Sequence, residues 1–139
     1  MSTTPAHARR AVLVVDDDDR VRAVVRAVLE ADDFNVTEAV DGPSALKVLA
    51  DADDADADDA QLRPNVLVLD VMMPGMDGIE VCRQIDHRTT KVLMLTARED
   101  LATRDASAAA GADAFLAKPF SAVELLDAIE RLSADEPAD

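Results

Sequence analysis

Residues 66–70 read Val-Leu-Val-Leu-Asp, four apolar residues closed by a carboxylate. The arrangement recurs at 12–17, Val-Leu-Val-Val-Asp-Asp. Two more apolar runs end in polar groups: Lys91-Val92-Leu93-Met94-Leu95 leads to Thr96, and Ala114-Phe115-Leu116-Ala117 leads to Lys118. Runs this short and nearly continuous read as strands buried on both faces, as in a parallel sheet. In such sheets the functional crevice lies at the carboxyl ends of the strands. Asp16, Asp17, Asp70, Thr96 and Lys118 are therefore predicted to meet on one rim. Three carboxylates held together repel one another unless a cation intervenes. Mg2+ meets that need, because it takes oxygen ligands and few protein carboxylates.

Outward from these runs, strand and helix signals alternate five times, the pattern of a doubly wound α/β domain. After the first strand, Val21, Val24, Val25, Val28 and Leu29 keep helical spacing and predict one apolar face. A strand over 34–39 follows, and Gly42-Pro43 opens a second helix, with proline suited to a first turn. Asp77 is positioned to cap a third helix in which Ile79, Cys82 and Ile85 share a face. The fourth helix, near 100–110, closes at Gly111. It carries Leu101 and then mostly Ala and Ser, so it buries little area and is expected to be the least firmly docked of the five. Ser121 and Glu124 form an S-x-x-E capping box for the last helix, whose inner face is Leu125, Leu126, Ile129 and Leu132.

With 139 residues the chain makes one ordinary domain. A net charge of −15 argues against direct nucleic-acid contact and against anionic membrane surfaces. No stretch approaches the length of a membrane-spanning helix, and the apolar run near the start stops too early for a signal peptide. A single cysteine, Cys82, excludes an internal disulfide framework, fits a cytoplasmic protein, and reads as a small core residue. His7 and His87 lie in polar segments and read neither as ligands nor as phosphodonors. Residues 1–9 are expected to be a flexible lead, and 134–139 a polar, disordered tail. Six of the aspartates fall in 51–59, within an acidic loop insertion placed at 51–62. Its alternating acids lack the glycine and the bidentate glutamate of a calcium loop, so it reads as a solvated acidic segment. An Asp-rich chain with only three lysines fits a salt-tolerant source or simply an acidic protein.

Four segments, VLVVDD (12–17), VLVLDVMMPGMDG (66–78), LMLTA (93–97) and GADAFLAKPF (111–120), resemble in order and spacing the receiver domains of two-component response regulators. The resemblance covers roughly residues 10–133. It implies a flavodoxin-like (βα)5 domain with a five-stranded parallel sheet in the order 2-1-3-4-5. It also implies a phosphoacceptor, Asp70, that takes a phosphoryl group from a histidine kinase or histidine phosphotransfer protein. Asp17, Asp70 and the backbone carbonyl of Met72 would ligate Mg2+, with Mn2+ as a substitute, and Asp16 would act through a water. Asp18 or Asp19 then caps the first helix; alternatively all four acids simply begin it.

On the same resemblance, Lys118 pairs with Asp70 and later with the phosphoryl group, and Thr96 hydrogen-bonds a phosphoryl oxygen. Lys118-Pro119 is expected to be a cis peptide. Phe115 occupies the place of the family's mobile aromatic, so Thr96 and Phe115 would form the switch; otherwise Phe115 is an ordinary core residue. Met72 and Arg98 flank the path of the attacking water and would set phosphoryl lifetime. The readout, toward a downstream protein or a second copy of the chain, would use the fourth helix, fifth strand and fifth helix. The leading expectation is a stand-alone receiver that is not a turnover enzyme. The alternatives are a receiver cut from a longer regulator or hybrid kinase, a Mg2+-dependent phosphohydrolase, and a scaffold.

Overall fold

A computed structural model describes residues 11–53, 64–97 and 101–134. Five strands alternate with five helices: β1 (Ala11–Val15), α1 (Asp19–Ala31), β2 (Asn35–Ala39), α2 (Gly42–Asp53), β3 (Val66–Asp70), α3 (Gly78–Gln84), β4 (Lys91–Ala97), α4 (Leu101–Ala109), β5 (Ala114–Lys118) and α5 (Ala122–Ala134). The strands form one sheet, β2-β1-β3-β4-β5, and every neighbouring pair is parallel. The expected fold class and strand order are both present.

Side chains alternate along each strand, so a continuous apolar run feeds two cores. Val12, Val14, Val66, Val68, Leu93 and Leu95 face one side, where Val25 and Leu29 of α1 and Leu125, Ile129 and Leu132 of α5 meet them. Leu13, Val15, Leu67, Leu69, Val92 and Met94 face the other, against Ala45 of α2 and Val81 and Cys82 of α3. Each such side chain, fully withdrawn from water, contributes about 1.5–3 kcal/mol. Burial pushes the Cys82 thiol up to about 11, with Asp113 adding to the shift, as befits a core residue.

Helix ends follow local chemistry. Asp18 caps α1 through the amides of Arg20 and Val21, and Asp77 caps α3 through that of Glu80. Ser121 and Glu124 exchange their two bonds at 2.9 and 3.1 Å, completing the capping box of α5. At the end of α4, the amides of Gly111 and Ala112 bond the carbonyls of Ala108 and Ser107, and Gly111 has a φ of 113°.

Several expectations change. β5 is an edge strand and only half-buried, and among the described residues no strand pairs its outer side. Val24 is 56% exposed: α1 presents Val25 and Leu29 inward, and Val24 lies off that stripe. Helix α3 stops at Gln84, with Ile85 in extended conformation as its C-cap. Helix α2 runs on to Asp53, so residues 51–53 of the expected acidic loop are helical. Ala134 belongs to α5 rather than to the tail. Residues 1–10, 54–63 and 135–139, and with them the lead, most of the acidic segment and the rest of the tail, lie outside the described residues. So does Arg98. Among the described residues, no helix is long and apolar enough to cross a membrane.

Candidate functional site

The sheet order reverses between β1 and β3, which opens a crevice at their carboxyl ends. Register then decides what meets there. Val15 pairs with Leu69, so Asp16 and Asp70 emerge level with each other. Asp70 pairs with Leu95, which places Thr96 one residue further along. Thr96 pairs with Ala117 and Lys118 with Ala97, so Lys118 stands two residues beyond Asp70. Two residues of strand are about 6.6 Å, a distance the long lysine side chain spans. Its Nζ donates to Asp70 Oδ1 at 3.2 Å and to Asp16 Oδ2 at 3.3 Å.

Asp16 and Asp70 are buried and Asp17 is exposed; one carboxylate oxygen of each lies within 4.8 Å of the others. The Asp16 carboxylate also accepts the Asp18 amide at 2.9 Å. Burial, then the charge of Asp16, push the Asp70 carboxyl up to about 6, against the pull of Lys118. Burial opposes the charge on Lys118, but Asp70 and Asp16 outweigh it and hold its pKa above the ordinary lysine value. Three carboxylates grouped in this way are a hard-oxygen donor set that could hold a divalent cation.

The β3–α3 connection closes over Asp70. The Gly78 amide donates to the Val71 carbonyl at 3.0 Å, and a Cβ on Gly78 would lie 2.4 Å from the carbonyl oxygen of Asp70. Only glycine permits this approach. Met72 projects outward, 71% exposed, while its amide reaches Asp70 Oδ1 at 3.4 Å. Thr96 is buried at the end of β4. The Lys118–Pro119 peptide is cis. Phe115 is half-buried, and the Arg104 guanidinium of α4 stands 4.9 Å from its ring centroid. His87 hydrogen-bonds the carbonyl of Cys82 at 2.7 Å.

One residue of this region escapes sequence reasoning. Arg22 is buried although charged, and its Nη1 donates to the Asp16 carbonyl at 2.6 Å. Nε donates to Glu38 at 3.0 Å, and Nη2 pairs with Asp19. Its place beside the Val21–Val25 stripe was a signal, but spacing alone does not reveal the carbonyl opposite it.

A hydrophobic five-stranded α/β sheet with three acids, a threonine and a lysine on its carboxyl rim defines the receiver class, and the chain belongs to the response regulator receiver domain family, matching it over residues 12–130. Among curated proteins it is 43% identical over 138 residues to response regulator MprA of Mycobacterium ulcerans, an alignment covering 92% of this chain and 54% of that protein. The chain thus spans about half the length of the curated relatives it matches. Among solved structures, it superposes on chemotaxis protein CheY4 of Vibrio cholerae with a TM-score of 0.75 and 32% identity, covering 88% of this chain and 98% of that one. A putative response regulator from Chloroflexus aurantiacus gives a TM-score of 0.77 at 32% identity, covering 90% and 98%. Receiver domains of response regulators belong to two-component signalling and are generally not turnover enzymes.

Proposed function

We propose that this receiver takes a phosphoryl group onto Asp70 and uses it as a temporary signal. The carrying observation is the Asp70 carboxylate itself: buried, 3.2 Å from Lys118 Nζ and grouped with two further acids. An Asp70 oxygen attacks phosphorus, the P–N bond to a donor histidine breaks, and the imidazole leaves with the electron pair. Asp17, Asp70 and the Met72 carbonyl would hold Mg2+, or Mn2+ in its place, with Asp16 acting through a water. The ion supplies charge neutralisation for the transferring oxygens. Lys118 moves from the free carboxylate to the phosphoryl group, and Thr96 donates its hydroxyl to a phosphoryl oxygen.

The donor is a histidine kinase or histidine phosphotransfer protein. In support, Val21, Val24, Pro119 and Phe120 line an apolar recess beside Lys118, a surface that suits a helical partner bringing its histidine to the rim. Phosphorylation acts on Thr96 and Phe115 and, through them, on the α4–β5–α5 face toward a downstream partner. The sparse burial of α4, where Ser107 alone is buried, supports a face that is easily remodelled. Arg98 and Met72 set the lifetime of the acyl phosphate. The length of the curated relatives supports a second reading of the output, in which the receiver controls a domain on the same polypeptide. A phosphohydrolase finds less support, since Met72 stands where a second acid would serve turnover.

Incubation with acetyl phosphate and Mg2+, followed by intact-mass measurement, tests the proposal. A single phosphoryl adduct is expected, dependent on Mg2+ and absent from Asp70→Asn. Wild-type protein that stays unmodified where another receiver is labelled, or that releases phosphate continuously, would overturn it.

A further inference from the structure

We infer that Arg22 is a positioning residue for the metal-binding edge, fixing the Asp16–Asp17 peptide unit and thereby the direction of the Asp17 carboxylate. This deepens the proposed function and rests on its assignment of Asp17 as a ligand.

Asp16 is held on every side. Its amide donates to the Ala39 carbonyl at 3.3 Å, and its carboxylate accepts from Asp18 at 2.9 Å and from Lys118 at 3.3 Å. Its carbonyl accepts Arg22 Nη1 at 2.6 Å. That carbonyl belongs to the peptide linking Asp16 to Asp17, so the bond sets the plane from which the Asp17 side chain departs. Asp17, by contrast, is exposed. Arg22 is itself clamped by Glu38 at the end of β2, with a side chain only 10% exposed, and Glu38 is further held by Arg26 at 2.7 Å. The planar guanidinium donates in fixed directions, so the edge of the sheet is transmitted to the acidic loop without slack.

The sign of the effect separates positioning from simple charge. Removing a cation beside an acidic site should by electrostatics alone tighten Mg2+ binding. Losing a partner that orients ligands weakens metal affinity, by roughly 10–100-fold.

The experiment is calorimetric titration of the folded protein with MgCl2 for wild type, Arg22→Gln, Arg22→Lys, Glu38→Gln and Leu132→Ala. Far-UV circular dichroism and urea unfolding in EDTA run alongside. Arg22→Gln is expected to raise the Mg2+ dissociation constant about tenfold. Lysine, which cannot serve Asp16 and Glu38 together, should restore part of the loss, and Glu38→Gln should weaken binding a few-fold. Leu132→Ala loosens α5 without touching the loop and should leave the constant unchanged. The inference is overturned if Arg22→Gln binds Mg2+ within twofold of wild type or more tightly, or if Leu132→Ala loses as much affinity. Should Arg22→Gln not fold, wild-type affinity in both Arg22→Lys and Glu38→Gln overturns it. Wild-type protein that binds no Mg2+ overturns the proposed function and this inference together, a result distinct from all the others.

Discussion

In the metal-free protein, Asp70→Asn is expected to raise stability at neutral pH. Burial and the Asp16 charge lift the Asp70 carboxyl from an ordinary 3.8 to about 6, despite Lys118. A folded-state pKa above the unfolded one means that the folded protein holds this proton more tightly. The stability it contributes is complete below about pH 4 and is lost as pH rises through about 6. A gap of about two pH units corresponds to about 3 kcal/mol of disfavoured ionisation at pH 7.5, and about 1 kcal/mol at pH 4.5. The amide keeps the size of the side chain and a carbonyl oxygen for Lys118 while removing the charge, and the raised value already includes the pull of Lys118. The net gain is then about 3 kcal/mol at pH 7.5, or about 10 °C in Tm for a domain of this size, and about 1 kcal/mol at pH 4.5. Urea unfolding of both proteins in EDTA at the two pH values measures it, and the difference between variants cancels the titrating groups that lie away from Asp70. Adding Mg2+ at pH 7.5 should stabilise the wild type and narrow the gap. A variant no more stable than wild type at pH 7.5, or a gain of equal size at both pH values, would refute the account of strained ionisation.

Three other outcomes follow from the same geometry. Gly78→Ala forces a Cβ to 2.4 Å from the Asp70 carbonyl and 2.9 Å from Val71 Cα, both backbone atoms. A loss of at least about 2 kcal/mol in urea unfolding is expected, and a neutral substitution would show that the loop yields freely. Amide exchange should find α4 at least about tenfold less protected than α1, since Leu101 is 69% exposed and Ser107 alone is buried; equal protection would contradict this. Met72→Asn places an amide beside Asp70 that can orient water, so the phosphorylated protein should lose its adduct several-fold faster by intact mass. An unchanged decay would remove Met72 from the control of lifetime.

How much of this was legible in the chain depended on what each residue's surroundings consist of. β1, β3 and β4 have apolar neighbours on both faces, and their uninterrupted Val and Leu runs say so directly. The acids at their ends could be assigned to one rim because parallel strands all end on the same side. β5 has the same kind of composition, yet it is half-exposed, because a run of apolar residues does not report whether another strand pairs beyond it. Val24 fails for a related reason: helical spacing defines a stripe wider than the sheet beneath it can cover. Arg22 marks the limit most clearly. An arginine beside an apolar stripe ordinarily stretches its charge out to water. Here the Asp16 carbonyl and Glu38 meet it instead, one from the preceding turn of chain and one from a strand sixteen residues away. Such a site is written in three places that become neighbours only when the sheet forms. The residue that aims the acids was therefore hidden, while the acids themselves were in plain view.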